Sequence, residues 1–469
     1  MKRRQFITSA SAVAAASATG LTACGQAEQG PAPVLPKIGP DGKRLIPWQN
    51  WSGYRHCYPA GRSAPQDEAA LAELLKNAEG TVRPVGAGHS FTELVPTDGE
   101  IVSLRHFSGM RGHDAEAMTA TFGAGTKISQ IGAPLDAVGQ ALANMPDIDD
   151  QTLAGAMATA THGTGESLGA LHSYVTGLRL VTPTGEVLDC NREQNADVFD
   201  AARVSVGALG VITEYTLQNV PATRMKRTVW MAPREELMEQ YDQLAAENHS
   251  FEIYVVPHFN QALGVTINPS DEPISPRSGD PDSNAAMELK KLRDLLSWWP
   301  AARRRIGDAA VSDYPAQENV DSWYRIFPSE RPVRFNEMEY HMDREQLLPT
   351  LRKVLAHVEK HHPEVFLPFE VRVVNGEQDD AWLSPFYRHA SASIAVHRYY
   401  AEDPLPLFNS TEPLLKATGG RPHWGKMNTM SSAEFAARYP RWDEFCRLRA
   451  ELDPAGRMLN PYLKKVFAV

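Results

Sequence analysis

A glycine-rich segment directly after a short apolar stretch contains the first residues suited to binding a ligand. It spans residues 85–91 and reads VGAGHSF. Because glycine has no side chain and tolerates positive φ, two closely spaced glycines let backbone N–H groups approach an anionic group. The spacing is not that of the Rossmann fingerprint, since Phe91 stands where the third glycine would be. Pyrophosphate is a candidate ligand, and a tight turn is the structural alternative.

A second segment of small and hydroxyl-bearing residues points to the same kind of ligand. It begins at Pro146 and Asp147, continues as QTLAG at residues 151–155, and ends as THGTG at residues 161–165. Backbone that presses against a flat ligand requires small side chains of this kind. A turn between strands, rich in glycine and threonine, is the alternative interpretation.

Charged residues with a spacing of two suggest one polar side of a binding pocket. Glu370 and Arg372 lie in a predicted strand, where alternate side chains point to one face. Such a pair also occurs as an ordinary surface ion pair, and His397 beside Arg398 fits a rim position. His56-Cys57 and His361-His362 lack further ligands at a suitable spacing, so no metal site is predicted.

Composition excludes several classes of protein. The chain has 469 residues, 42% hydrophobic content and a formal net charge of −10, so a general affinity for nucleic acid is not expected. Its 33 glycines and 34 prolines follow no period, which excludes collagen-like and low-complexity chains. Four cysteines without a C-x-x-C pair form neither a disulfide scaffold nor a thiolate zinc site.

The glycine segments require a framework of strands and helices to position them, and the sequence predicts an α+β or α/β domain over residues 46–222. A helix at 66–79 leads into a strand at 82–85, immediately before the first glycine segment. Further strands are predicted at 101–104, 118–122, 175–181 and 211–217, with a helix at 128–138.

The pattern after Pro221 predicts a second domain over residues 223–422, an antiparallel sheet flanked by helices. Its predicted strands are 225–231, 250–256, 262–267, 333–341, 365–374 and 391–400, its helices 286–299 and 344–361, and 268–283 is an exposed loop. Residues 423–469, with one helix at 432–452, are expected to close on the first domain. Trp298-Trp299 near Arg303, Arg304 and Arg305 could meet a membrane or a redox partner, although a solvated face is favoured.

The N-terminus predicts export. Lys2, Arg3 and Arg4 precede an acid-free run of small and apolar residues that ends at position 23, as in a signal peptide. Arg3-Arg4 resembles a twin-arginine signal, and residues 21–24, LTAC, resemble a bacterial lipobox in which Cys24 is acylated. Residues 24–45 then read as a tether, so we expect a periplasmic or cell-surface lipoprotein that contacts the membrane by its N-terminal lipid only.

The motifs taken together resemble a known family. The two glycine segments, followed by GALGVI at residues 207–212, are similar to the PCMH-type FAD-binding domain of the vanillyl-alcohol oxidase family. RFNEMEY at 334–340, FEVR at 369–372 and HWGK at 423–426 resemble its branch of sugar-1,4-lactone oxidases, including D-arabinono- and L-gulono-lactone oxidases, and alditol oxidases. The resemblance implies an α+β fold with two α/β subdomains in the FAD-binding domain and a separate substrate domain.

The resemblance implies an FAD cofactor that is covalently attached through His89 to the flavin 8α-methyl group. Noncovalent FAD, with His89 only a turn residue, is the alternative. The cofactor-binding residues that the resemblance implies are Arg83, Pro84, Val85, Gly86, Ala87, Gly88, His89, Ser90, Phe91, Asp147, Thr152, Gly155, Ala158, Thr159, His162, Gly163 and Val211.

The resemblance further implies oxidation of a hydroxyl of a sugar lactone or polyol, with Glu370, Arg372, His397 and Lys426 as catalytic residues. Asp147 stands where alditol oxidases have serine, which favours a lactone pocket. Ala124 stands where oxygen-using relatives have glycine, and a methyl group there obstructs O₂. We therefore expect a dehydrogenase with a cytochrome, quinone or other external acceptor, and the alternatives are an H₂O₂-producing oxidase or an inactive flavin- or sugar-binding protein.

Overall fold

The structure, a computed structural model, describes residues 30–277, 281–312, 315–329 and 333–469. The predicted signal peptide and Cys24 lie outside the described residues. Within those ranges, the helices are too short or too polar to span a bilayer. The second half of the predicted tether contains a small hairpin of β1 (Lys37–Ile38) and β2 (Arg44–Leu45).

The first domain combines short strands with few helices. Its further strands are β3 (Trp48–Gln49), β4 (His56–Cys57), β5 (Gly61–Ser63), β6 (Val82–Val85), β7 (Glu100–Ser103), β8 (Met110–Asp114), β9 (Thr119–Gly123), β10 (Gln140–Leu142), β11 (Val175–Val181), β12 (Val187–Asn191) and β13 (Val211–Pro221). Its helices are α1 (Glu68–Asn77), α2 (Gly132–Ala137), α3 (Leu153–Ala158) and α4 (Ala196–Ala202), with 3₁₀ turns at Ile128–Gln130 and Leu171–Tyr174.

Besides the two-stranded pair of β3 and β4, two larger sheets make up the described part of this domain. Among the described residues, β5, β7 and β6 form a parallel sheet, and β12, β11, β13, β9 and β8 form an antiparallel one to which β10 adds through β13. Helix α1 begins at the N-cap Asp67, whose side chain accepts from Ala70 N at 2.8 Å, and it buries Leu71 and Leu75. The chain then returns through β6, which ends where the first glycine segment begins.

The predicted helix at 128–138 is interrupted in the structure. It consists of a 3₁₀ turn followed by the short helix α2. Pro134 explains the interruption, because proline has no N–H to donate to the carbonyl of Gln130, four residues earlier.

The second domain is built on a long antiparallel sheet. Its strands are β14 (Arg224–Pro233), β15 (Ser250–Val255), β16 (Gln261–Pro269), β17 (Gln317–Ser322), β18 (Phe335–Asp343), β19 (Phe369–Val374), β20 (Ser391–Tyr399) and β21 (Arg421–Pro422), in the spatial order β17-β14-β16-β15-β19-β20-β18-β21. Its helices are α5 (Arg234–Glu239), α6 (Tyr241–Glu247), α7 (Pro281–Leu296), α8 (Pro300–Val311), α9 (Trp323–Ile326), α10 (Leu347–His361) and α11 (Leu405–Lys416). Helix α8 was not predicted, and β19 starts later than predicted, directly after Pro368.

The alternation of side chains gives this sheet two different faces. One face is apolar and packs on α10, which contributes Leu351, Val354 and Val358. The strand residues on that face include Ile253, Met338, Tyr340, Val371, Val373, Ile394 and Val396. The other face carries Glu337 and Glu339 on β18 and Glu370 and Arg372 on β19, with β20 between these strands, and all four residues are buried. Since charged side chains are seldom buried without partners, this second face is the place to look for a site.

The C-terminal segment packs on the first domain. Val82 N donates to Arg457 O at 2.8 Å, and Trp424 and Phe435 share a core with residues of the first domain. The predicted single helix at 432–452 is wrong, because the segment contains α12 (Ser432–Arg438) and α13 (Trp442–Leu452), followed by α14 (Pro461–Phe467). Pro440 breaks it, and the preceding Tyr439 is extended.

Candidate active site and cofactor cleft

A deep cleft runs along the glycine segments of the first domain. The empty space along it is about 1210 Å³, a figure that includes the open solvent at its mouth. Fourteen of the predicted cofactor-binding residues line it: Arg83, Pro84, Val85, Gly86, Ala87, Gly88, His89, Ser90, Phe91, Thr152, Gly155, Ala158, Thr159 and Val211. The GALGVI segment, residues 207–212, lines the cleft as well, through Gly207 and Gly210.

Close packing of the two segments explains the need for glycine. A Cβ on Gly86 would lie 2.0 Å from Thr152 Oγ1, so a larger residue would push the two segments apart. Gly88 and Gly207 have φ values of +75° and +65°, which side-chain-bearing residues rarely adopt. The narrow cradle between the segments therefore depends on these positions.

The cradle presents donors to a ligand. Within the described part of the chain, the backbone N–H groups of Ala87, Gly88, His89 and Ser90 have no hydrogen-bond acceptor. Successive unpaired N–H groups around a glycine with positive φ form a site for an anion. The cleft therefore fits the diphosphate of FAD, and its small, largely apolar walls fit the flat rings.

Arg83 supports the cleft rather than gripping phosphate. Its guanidinium is buried and donates to the carbonyls of Leu94, Val206, Gly207 and Met458, with N–O distances of 2.5–2.8 Å. These acceptors come from three separated stretches of the chain. Arg83 thus ties together the walls of the cleft that it lines, and its predicted role in binding the cofactor stays a prediction.

His89 lies at the side of the cleft against an aromatic ring. Its imidazole stacks on Trp51, with ring centroids 5.3 Å apart, and its Nε2 is 3.5 Å from Asp150 Oδ2. Lys127 forms an ion pair with the same carboxylate. Burial lowers the pKa of His89, opposed by Asp150 and reinforced by Lys426 and Lys127. The imidazole is therefore neutral at neutral pH, with a lone pair available on the ring.

Three residues predicted to bind the cofactor do not line the cleft: Asp147, His162 and Gly163. Asp147 Oδ1 accepts from Ser329 Oγ at 2.8 Å, which places it on the side of the second domain. His162 is buried with Nε2 3.1 Å from Glu339 Oε1. A Cβ on Gly163 would lie 2.2 Å from Met145 O, so this glycine permits close backbone packing.

Arg372 is held by carboxylates on the polar face of the long sheet. Its Nη2 is 2.8 Å from Glu339 Oε1, and its Nε is 3.6 Å from Glu370 Oε2. All three residues are buried. These carboxylates raise the pKa of Arg372 against the opposing effect of burial. Its Nε forms no hydrogen bond within the described residues, so one donor remains for a ligand.

Lys426 and His397 meet at a second buried carboxylate. Lys426 Nζ forms an ion pair with Glu337 Oε2, and His397 Nε2 is 3.7 Å from Glu337 Oε1. His397 Nδ1 is 2.8 Å from the carbonyl oxygen of Pro368, which can only accept, so Nδ1 carries the proton. Nε2 is therefore the nitrogen that can give up or take a proton. Lys426 also lines the cofactor cleft and connects the two halves of the site.

A tyrosine joins Glu370 to a further carboxyl group. Tyr254 Oη lies 2.9 Å from Glu370 Oε1, 3.2 Å from Glu252 Oε1 and 3.5 Å from Asp147 Oδ2. Burial and the negative charge of Glu370 raise the pKa of Glu252 to about 8. Glu252 is therefore largely protonated at neutral pH, which relieves the repulsion between the two carboxyl groups.

The structure brings all four predicted catalytic residues to one face and adds partners that were missed. Glu370, Arg372, His397 and Lys426 are joined by Glu337, Glu339, Glu252 and Tyr254. A usable signal was present in the sequence, because Glu337 and Glu339 have the same spacing of two as Glu370 and Arg372. The spacing of Glu252 and Tyr254 is the same again.

Two clusters on this face have the spacing of a metal site: His162, Glu339 and His423, and Glu337, Glu370 and His397. Each contains a carboxylate that already binds a cation, Arg372 in the first cluster and Lys426 in the second. The positive charges of these side chains oppose the approach of a metal ion. Both clusters are therefore described as ion-pair networks.

Ala124 lies behind the cleft and is fully buried. Its N–H donates to Thr213 O and its carbonyl accepts from Ala154 N, both at 2.8 Å. The adjacent Gly155 lines the cleft. Because hydrogen bonds fix the backbone of Ala124 on both sides, its methyl group has no freedom to move aside.

Comparisons with known proteins agree with this architecture. The chain matches the FAD binding domain family over residues 59–191 and the D-arabinono-1,4-lactone oxidase family over residues 215–466. It is 34% identical to an L-gulono-1,4-lactone dehydrogenase of Mycobacterium tuberculosis, covering 89% of this chain and 98% of the relative. It is 30% identical to an L-gulonolactone oxidase of Bos taurus, covering 91% and 99%.

A solved structure shares the fold. The cholesterol oxidase of Brevibacterium sterolicum superposes with a TM-score of 0.73 over 93% of this chain and 100% of its own. The two sequences are 17% identical, so this likeness concerns the fold alone.

Proposed function

The chain belongs to the D-arabinono-1,4-lactone oxidase family and also contains an FAD-binding domain, and we propose that it oxidises a hydroxyl group of a sugar lactone. In this proposal the protein acts outside the cytoplasm and passes the electrons to an external acceptor. It is an FAD-dependent oxidoreductase acting on CH–OH groups. The choice of a lactone over an open-chain polyol, the acceptor and the location are the finer parts of this proposal.

One observation carries the proposal: Glu370, Arg372, His397 and Lys426 converge on a buried polar face beside the FAD cleft. FAD, when bound, accepts the hydride from the substrate carbon. A hydroxyl-bearing carbon donates hydride more readily when the O–H proton is held or removed. His397 Nε2 and Glu370 are acceptors suited to that proton, while Arg372 and Lys426 supply positive charge for the developing alkoxide.

The substrate side favours a lactone. Asp147 and Glu370 both approach the hydroxyl of Tyr254, so this part of the site offers several acceptors to substrate hydroxyl groups. Arg372 Nε is a donor suited to a ring or carbonyl oxygen. The combination fits a compact polyhydroxylated ring that carries a carbonyl group.

Replacing Glu370 by glutamine is expected to lower kcat by about 10²–10⁴ with a smaller change in KM, because the variant keeps the shape but loses a proton acceptor. The measurement is anaerobic flavin reduction in a stopped-flow instrument with a panel of aldonolactones, aldoses and alditols. The control, Glu318→Gln, removes a partly exposed partner of Lys226 on the edge strand β17 and should reduce the flavin at the wild-type rate.

Two results of that panel would contradict the assignment. If the flavin of E370Q is reduced as fast as that of the wild type, Glu370 has no role in the reaction. A wild-type protein whose flavin is reduced by none of the compounds would favour an inactive flavin- or sugar-binding protein.

The fixed methyl group of Ala124 supports an external acceptor over O₂. In the wild type we expect rapid reduction of an artificial dye and slow O₂ consumption during lactone oxidation. An Ala124→Gly variant should react with O₂ at least about tenfold faster, because removing the methyl group opens a path to the flavin. Its anaerobic reduction by substrate should be unchanged, which serves as the internal control. Equal O₂ consumption by both proteins, with H₂O₂ as product, would favour the oxidase alternative.

The proposed cofactor linkage is a covalent bond between His89 and FAD. Its support is the neutral, stacked imidazole at the side of the cleft. A covalent bond would prevent loss of FAD after export.

The proposed location is that of a bacterial lipoprotein exported by the twin-arginine route. Its support is the sequence of residues 1–24, in particular Arg3-Arg4 and Cys24. Mass spectrometry of the N-terminal peptide from the purified membrane fraction tests it, since an unmodified Cys24 would contradict acylation.

A further inference from the structure

The corner between α7 and α8 exposes an unusual set of large apolar side chains. Trp298 is 75% exposed, Leu295 59%, Trp299 54% and Ile306 47%. The two indole rings lie against each other, with centroids 5.6 Å apart. We call these four residues the tryptophan corner. Large apolar residues grouped in this way on a protein surface mark a contact with a partner or a membrane.

The tryptophan corner is held in place from beneath by polar contacts. Arg293 Nη1 is 2.7 Å from Glu402 Oε1, and Asp308 Oδ1 accepts from Asn260 N at 2.8 Å. Arg303 is buried and donates to Pro363 O. Arg293 and Arg303 are therefore buried beneath the corner, while Leu295, Ile306 and the two tryptophans between the helices are exposed, the reverse of the usual burial of these residue types.

The exposed charges around the tryptophan corner include a cation without a described partner. Glu288 pairs with Lys291 at 2.7 Å, and Asp294 pairs with Lys290 at 2.9 Å, so these four charges cancel. Arg305 is exposed and has no ion-pair partner within the described residues. An exposed arginine beside two tryptophans on a chain of net charge −10 favours an anionic partner at this place.

The N-terminal chain leaves the fold beside α7. Gly30 packs on Arg334, where a Cβ would lie 3.1 Å from Nε. The carbonyl of Arg334 accepts from Tyr400 N at 3.1 Å, and Lys290 Nζ lies 5.6 Å from the centre of the neighbouring Tyr399 ring. Contacts through Arg334, Tyr400 and Tyr399 thus connect Gly30 to α7.

Short distances separate the proposed lipid from the tryptophan corner. Residues 24–29 span at most about 20 Å when fully extended. Leu295 follows Lys290 by five residues along α7, which is about 8 Å. An acyl chain on Cys24 and the tryptophan corner can therefore enter the same bilayer.

We propose that the tryptophan corner docks on the surface of an anionic phospholipid bilayer. The indole rings occupy the headgroup region, where tryptophan is enriched in membrane proteins, and Arg305 pairs with a lipid phosphate. Since one acyl chain gives only marginal membrane binding, the corner supplies a second contact that stabilises the attachment. The proposal rests on the proposed export only for the anchor, because the corner binds lipid by itself.

The test uses the mature chain, residues 24–469, loaded with FAD and carrying Cys24→Ser so that no acyl chain contributes. It is mixed with vesicles of phosphatidylglycerol and phosphatidylethanolamine, or of phosphatidylcholine alone, and bound protein is measured by co-sedimentation. We expect binding to the anionic vesicles with a blue shift of tryptophan fluorescence, and weaker binding to phosphatidylcholine. The double variant Trp298→Ala/Trp299→Ala should bind at least about tenfold more weakly.

Matched variants separate the contributions. Ile274→Ala removes an exposed apolar side chain outside the corner and should bind as the wild type does. Arg305→Glu should weaken binding to anionic vesicles only. Lactone-driven flavin reduction without vesicles should be the same in all variants, so a failure of docking is distinguishable from a failure of the proposed function.

Three outcomes would overturn the proposal. The first is absence of vesicle binding by the wild type, and the second is equal binding by the double variant. The third is a dimer in sedimentation velocity that disappears in the double variant, since that would make the corner an interface between two copies of the chain.

Discussion

Replacing Arg372 by alanine is expected to lower the free energy of unfolding by about 3–5 kcal/mol, because it leaves Glu339 and Glu370 buried without their cation. Glu339 is fully buried, and Arg372 Nη2 lies 2.8 Å from its Oε1. The positive charge of Arg372 also holds the pKa of Glu339 well below its usual range against the effect of burial. Denaturant unfolding at neutral pH, with FAD bound, measures the loss.

The same variant is expected to lower kcat by about 10²–10³, the size of effect seen when one preorganised donor is removed from a developing anion. Arg372→Lys keeps the charge but loses the planar fork, so it should recover more stability than activity. The control Arg447→Ala removes an exposed ion pair with Glu451 and should cost at most about 0.5 kcal/mol. A loss below about 1 kcal/mol in the Arg372→Ala variant would contradict the ion-pair network described here.

The loss of stability in the Arg372→Ala variant is expected to depend on pH. The folded-state pKa of Glu339 is depressed, so its pairing stabilises the protein above the unfolded value of about 4.3 and is lost as the pH falls below that value. The stability difference between wild type and Arg372→Ala should therefore be largest near neutral pH and shrink in acid. Unfolding midpoints measured from neutral pH down to about pH 3, through the range in which the pairing is lost, test the sign.

Replacing His89 by alanine is expected to remove all flavin fluorescence from the polypeptide on a denaturing gel. The wild-type band should fluoresce, because a covalent bond survives unfolding. His106→Ala is the control, because His106 is a half-buried histidine whose described side-chain hydrogen bonds are to Gln66 and Arg105, and it should fluoresce as the wild type does. Yellow native protein without a fluorescent band in the wild type would show noncovalent FAD.

The attachment should also proceed in mild acid. Burial lowers the pKa of His89 below its ordinary value of about 6.5, so the imidazole stays neutral and nucleophilic at a pH where a free histidine is half protonated. Incubation of apoprotein with FAD over a range of pH values, followed by the gel, measures the rate. A rate that falls with a midpoint above pH 6.5 would contradict the lowered pKa.

Much of the fold was predictable because strands carry a local signal. The predicted strands at 82–85 and 175–181 have the observed bounds, since both are short runs of apolar residues bounded by turns. The helices predicted at 128–138 and 432–452 were too long, because Pro134 and Pro440 interrupt these helices even though the apolar period continues past them.

The site was predictable in its residue types but not in its contacts. The sequence singled out His162 and Asp147, yet the structure places their contacts outside the lining of the cofactor cleft, while Arg83 lines the cleft and also ties its walls together. Glu337 and Glu339, which hold Lys426 and Arg372 in place, were not predicted as site residues.

By itself, the sequence determined the two glycine segments, the alternating strands and the resemblance to an FAD-binding family, because backbone freedom and the period of two are properties of neighbouring residues. Only the tertiary structure decided which charges pair. Lys426 meets Glu337 across 89 residues, and Arg372 meets Glu339 across 33. Such pairs depend on strand order, register and the packing of one sheet face against the FAD cleft. A local sequence pattern determines none of these three.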